Sequence, residues 1–246
     1  MDEITTYEDL ETLKRKNIRK MTISIVGTLL ILIVSFFVCM GVGNYKVDYG
    51  DMVRAIFGSG DDPAVIMMVH DVRLPRVLAA ALVGAALSIA GLAMQSLFKN
   101  PMASPSILGI SSGASFGASL AISFGIGTIL FGSYATPAMA FIMCFATMGL
   151  VYLIAHSKYG ISTVTLLLGG VAVGAFFNGL VSLLQYVADE DVLSSIVYWT
   201  MGSFNKVTWD SFTRSFIAIL IGLIMLIVIY RELNLISAGE EQVFVH

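Results

Sequence analysis

The chain has 246 residues, of which 57% are hydrophobic and only 13% charged, with a mean hydropathy of +0.86. A soluble domain has about 25% charged and about 45–50% apolar residues, so the composition excludes a soluble enzyme, a nucleic-acid reader and a disulfide scaffold, and leaves a membrane protein. The net charge of −3 decides nothing further, because the placement of Lys and Arg, rather than their sum, orients a membrane chain.

Residues 1–20 are polar. Thr5 with Glu8 three residues later has the form of a capping box, and Ile4, Tyr7, Leu10 and Leu13 would lie along one face of a short helix, which predicts an amphipathic segment on the cytoplasmic membrane surface. Lys14, Arg15, Lys16, Arg19 and Lys20 then precede an uncharged run beginning at Met21. That run is too long for a signal peptide and lacks a clear cleavage site, so it reads as a retained span with its N-terminus cytoplasmic. Charge-free stretches, the last of them Ser215 to Tyr230, predict six spans in all, at about 21–45, 77–98, 107–123, 135–155, 161–187 and 211–230. The fold class expected is therefore all-α, a polytopic helical bundle over 21–230 followed by a cytoplasmic segment, 231–246.

Arg73 and Arg76, in Arg73-Leu74-Pro75-Arg76, stand at the outer mouth of the second span, where positive charge is disfavoured. Two readings remain open: snorkelling to headgroup phosphates, or a rigid cationic pair awaiting carboxylates on an extracellular partner. Phe98 to Pro105 holds two prolines four residues apart, which requires a chain break; a simple reversal and a turn engaged by a partner fit it equally. Gly109, Gly113 and Gly117 recur every four residues, as do Ala80, Gly84 and Ser88. On helices these small residues permit close backbone approach, so Gly84, Gly109, Gly113 and Gly117 are expected at helix contacts.

Polar side chains inside the spans are Gln95, Asn178 and Gln185, expected to point inward. With Gly169, Gly170, Gly174 and Gly179 beside them, the fifth span could line a cavity, although interhelical amide bonding explains the same residues. No acidic or basic side chain lies in the middle of a predicted span, which argues against a proton relay or ion-coupled carrier. The chain has no Walker A loop, HExxH pair or CxxC pair, and His70, His156 and His246 are scattered, so neither catalytic nor metal-ligating residues are expected.

Several motifs together resemble the permease subunits of iron-siderophore and cobalamin importers, the large-bundle class of ATP-binding-cassette importers. They run from Val72-Arg73-Leu74-Pro75-Arg76 through Gly84-Ala85-Ala86, Met94-Gln95 and Asn100-Pro101-Met102-Ala103-Ser104-Pro105 to Leu108-Gly109-Ile110-Ser111-Ser112-Gly113-Ala114. Weaker agreement follows at Leu168-Gly169-Gly170-Val171-Ala172, at Tyr198-Trp199-Thr200-Met201-Gly202-Ser203 and at Leu233 to Glu241. The resemblance implies a homodimer or paired permease, two cytoplasmic ATPase subunits, an extracytoplasmic binding protein that delivers an iron chelate, and a home in the bacterial inner membrane. The chain itself would bind no cofactor and catalyse no covalent step, with ATP and Mg on the partner ATPase.

Residue by residue, the resemblance assigns Arg73 and Arg76 to binding-protein docking. It assigns Ser162 and Thr163 to the cytoplasmic mouth of the pathway and Gly170, Gly174 and Asn178 to its wall. Ser237, Gly239 and Glu240 would begin the ATPase-coupling element. Members of this family continue through four more spans, whereas Gly239-Glu240-Glu241 here precedes the last residues of the sequence; the six spans thus correspond to the first part of a ten-span permease, a truncated product or half of a split one. Siderophore transport ranks before cobalamin or haem. The other readings are a non-functional fragment, an ion-coupled secondary carrier and an intramembrane enzyme.

Overall fold

A computed structural model describes residues 7–43, 47–60, 62–157 and 160–238, with side chains left aside for 7–11, 157, 160–161 and 236–238. Its elements in chain order are α1 (Tyr7–Gly41), α2 (Tyr49–Ile56), α3 (Pro63–Met67), a π-helical turn (Met68–Arg73), α4 (Leu74–Phe98), a 3-10 turn (Pro105–Leu108) and α5 (Ile110–Phe124). There follow α6 (Thr128–Phe131), a second 3-10 turn (Gly132–Tyr134), α7 (Ala135–Ala155), a two-residue hairpin of β1 (His156–Ser157) and β2 (Gly160–Ile161), α8 (Thr163–Val187), α9 (Glu190–Met201), α10 (Trp209–Val228) and α11 (Tyr230–Ala238). This is a polytopic helical bundle, as the sequence predicts.

Among the described residues, five stretches are long and apolar enough to cross a bilayer: Thr12–Gly41, Pro63–Phe98, Thr128–Ala155, Thr163–Val187 and Trp209–Val228. The expected third span is different. Gly109 takes a left-handed conformation at φ 71°, so the 3-10 turn before it and the helix after it cannot merge, and the 15 residues of α5 reach only about 22 Å at ~1.5 Å per residue, short of the ~30 Å hydrocarbon core. The expected surface helix is also not separate, because α1 runs unbroken from Tyr7 to Gly41; Thr5 of the proposed capping box lies outside the described residues. Between the fifth and sixth spans, a segment read as a connection forms α9. Glu190 and Asp191 occupy its first turn, where carboxylates complement the helix dipole.

The chain divides into two compact units. One comprises Met1–Ala81 and Val207–Phe212. Its core is Met40, Met52, Ala55 and Val69, supported by Phe36, Val65, Leu74 and Val77. Asp48 and Asp62 start α2 and α3 by accepting from the amides of Gly50 (3.0 Å) and Ala64 (2.9 Å), which satisfies donors that a helix start leaves open.

The other unit comprises Leu82–Lys206 and Thr213–His246. Its core joins Phe98, Ala103, Leu108, Val151, Val173 and Phe177, with the Phe116 and Phe177 rings stacked at 5.3 Å. The break expected at the two prolines is a built turn: Lys99 closes α4 with φ 49°, the Asn100 amide donates to Gln95 O, and the Asn100 side chain accepts from the Met102 amide at 2.9 Å. The turn thus pairs several of its own polar groups, as irregular backbone away from water requires. In this unit Arg214 stands over the Tyr134 ring, 4.2 Å from its centroid, a cation–π contact that no sequence pattern announced.

Candidate functional site

The first candidate site is the π-turn and the Arg-Leu-Pro-Arg sequence that leaves it. Arg73 is only 8% exposed, and its Nη1 donates to the carbonyl of Met40 at 2.6 Å. The carbonyls of the last helical turn have no intrahelical donor, so Arg73 closes the C-terminal end of α1. Gly43 provides the room: a Cβ there would stand 2.7 Å from Arg73 Nη2. The two arginines, both assigned to docking by the resemblance, therefore differ in their surroundings. Arg73 faces inward onto backbone, while Arg76 is partly buried, with its Nε enclosed and lacking a hydrogen-bond partner among the described residues.

Glycine contacts on α8 make the second candidate. Gly170 and Gly174, expected on a pathway wall, are buried against the chain's own turn. A Cβ at Gly170 would stand 2.6 Å from Leu108 Cα and 2.7 Å from Ile107 O, and one at Gly174 would meet Gly109 Cα at 3.1 Å. Their absent side chains let α8 lie directly on the 3-10 turn and the start of α5, so within this chain they are packing positions rather than open wall. Asn178, one turn beyond Gly174, is exposed, not turned inward as its polarity suggested; Ser162 and Thr163 are exposed at the start of α8.

The predicted packing glycines also divide. Gly113 lies against the Thr147 side chain, and Gly117 against Met139 O and Met143, so α5 and α7 meet along that stripe. Gly109 contacts Gly170 and Gly174 but as the left-handed residue before α5, not as a helical position. Gly84 is exposed with nothing within 4 Å of a Cβ, so in the described chain it packs against nothing. Sequence reasoning missed Thr147, which is fully buried and returns its hydroxyl to Met143 O at 2.6 Å; a lone threonine in an apolar run carries no such signal. Gly239 and Glu240 lie outside the described residues, as does the side chain of Ser237 in the last turn of α11.

A further shallow groove separates α4 from α10 and α11, with Ile89, Leu92, Leu223, Leu226, Tyr230 and Leu233 among its walls. It offers a hydrophobic surface and no catalytic constellation.

The model of the FecCD transport family matches residues 31–244 and so takes in both candidate sites. The chain belongs to that family. Among its relatives, the molybdate import system permease protein MolB of Haemophilus influenzae is 34% identical over 88% of this chain and 64% of its own length. The iron(3+)-hydroxamate import system permease protein FhuB of Bacillus subtilis is 32% identical over 89% of this chain and 56% of its own length. Other relatives are named for hemin and vitamin B12 import. A solved structure described as an inward-facing ABC transporter of metal-chelate type shares 34% identity with a TM-score of 0.73, over 88% of this chain and 65% of that one. This FecCD chain therefore spans less than two thirds of these relatives' length. Their names describe transporter permeases, not enzymes.

Proposed function

We propose that this chain is a transmembrane permease subunit, or the larger part of one, for ATP-driven import of iron-siderophore complexes across a bacterial inner membrane. The observation that carries the proposal is the family match across residues 31–244. Energy would come from two separate cytoplasmic ATPase subunits holding ATP and Mg, and substrate from an extracytoplasmic binding protein; the permease would act as a homodimer or paired assembly. The Lys14 to Lys20 cluster supports a cytoplasmic N-terminus, by the excess of Lys and Arg on inner flanks.

In this reading Arg76 meets a carboxylate of the binding protein, while Arg73, held on Met40 O, fixes the turn from which Arg76 projects. Ser162 and Thr163 border the cytoplasmic mouth, Asn178 faces the pathway, and Ser237, Gly239 and Glu240 begin the coupling element. A weakly polar pathway suits a bulky chelate that must pass without tight binding. The hydroxamate relative supports iron chelate as cargo, and the molybdate, hemin and vitamin B12 relatives define the competing cargoes.

The test is deletion of the gene in its own host, followed by uptake of radiolabelled ferric hydroxamate, molybdate, haem and cobalamin. Loss of ferric hydroxamate uptake alone is the expected result. Selective loss of another cargo would overturn the siderophore assignment, and unchanged uptake of all four would overturn these import assignments. Replacing Arg76 with Glu should weaken docking in a salt-dependent manner.

A further inference from the structure

The π-turn before Arg76 has a hydrogen-bonding gap that a distant residue fills. Leu74 N–H donates to the Val69 carbonyl, five residues back. The next bond in that register would run from residue 75 to the carbonyl of His70, but residue 75 is proline, which has no N–H. The His70 carbonyl is part-buried, and an acceptor shielded from water costs free energy when it has no donor. The indole Nε1 of Trp209, 139 positions along the chain at the first turn of α10, donates to His70 O at 2.9 Å.

The indole is itself held in place. Its ring lies 5.5 Å from the His70 imidazole and 5.8 Å, edge to face, from Phe212, while His70 Nδ1 is 3.0 Å from Asp71 Oδ1. Pro75 is fully buried. Two long-range hydrogen bonds therefore fix this short stretch: Trp209 donates into the turn at His70 O, and Arg73, from within the turn, donates out to Met40 O of α1.

We infer that Trp209 is a positioning residue for the Arg76-bearing turn, its indole N–H standing in for the amide that Pro75 lacks. A π-turn is rare and tends to occur where a helix is bent for function; here it sets the direction in which α4 departs and hence where the Arg76 guanidinium stands. The link to docking rests on the function proposed above, whereas the backbone substitution does not.

The experiment is a mutant cycle on the full chain in lipid nanodiscs, read by amide hydrogen exchange over residues 70–76. Trp209→Phe keeps the ring and removes the donor; Pro75→Ala restores a backbone N–H in register with His70 O. The expected result is exchange about five- to tenfold faster in Trp209→Phe, consistent with one net hydrogen bond, and less than twofold faster when the same change is made in the Pro75→Ala background. No change in either background, or equal change in both, would overturn the inference. Because exchange needs no partner protein, an unaltered docking affinity in Arg76→Glu would sink the docking reading without touching this result. Weakened docking in Arg76→Glu together with normal docking in Trp209→Phe would refute the positioning role.

Discussion

Substituting Ala for Gly170 is the most direct challenge to the packing described for α8. The added Cβ would lie 2.6 Å from Leu108 Cα and 2.7 Å from Ile107 O. Both obstacles are backbone atoms of a turn closed by its own hydrogen bonds, so no side chain can rotate away. Ordinary carbon contacts need ~3.5–4.0 Å, and the helix and turn must therefore separate by about 1 Å. Overpacking of this kind costs about 1–3 kcal/mol. Replacing glycine by alanine in a helix also gains up to ~1 kcal/mol of propensity, which would mask part of the loss. Gly179, on the same helix with nothing within 4 Å of a Cβ, supplies the control, since the propensity gain is common to both variants and cancels. Thermal unfolding of purified protein in detergent, followed by size exclusion, should place Gly170→Ala below Gly179→Ala by roughly 2–12 °C, taking ~2–4 °C per kcal/mol for a chain of this size. Equal midpoints would refute the contact between α8 and the turn.

The Gly113 and Thr147 contact should appear as coupling: Gly113→Ala should destabilise the bundle, and Thr147→Ala should relieve part of that loss, with an interaction energy of about 1 kcal/mol in a double-mutant unfolding cycle; strict additivity would contradict the contact. Arg73→Ala should lower stability by about 1–3 kcal/mol because the Met40 carbonyl loses its donor, whereas Arg76→Glu should leave the unfolding midpoint nearly unchanged. A reversal of that order would show that the two arginines have been assigned the wrong roles. Moving a methyl onto Gly43, beside Arg73 Nη2 at 2.7 Å, should reproduce a share of the Arg73→Ala loss, as measured by the same unfolding assay.

Much of this protein was legible in one dimension. A bilayer demands long uncharged helices, so the long apolar helices could be located from the positions of charge-free runs. The Asn100 to Pro105 break could be read as well, since each proline removes a backbone donor and restricts the residue before it. Glycine spacing marked where helices can approach, but spacing does not say what approaches: Gly113 and Gly117 found α7, Gly170 and Gly174 found a turn rather than a pathway, and Gly84 found nothing within this chain. Side-chain direction was equally hidden. Arg73 and Arg76 are three residues apart and chemically the same, yet the carbonyl end of α1 lies beside only one of them. The partnership of Trp209 with His70 spans 139 positions. Local sequence determines which backbone groups a proline or a helix end will leave unpaired, but only the folded chain brings a distant donor to within hydrogen-bonding distance of them.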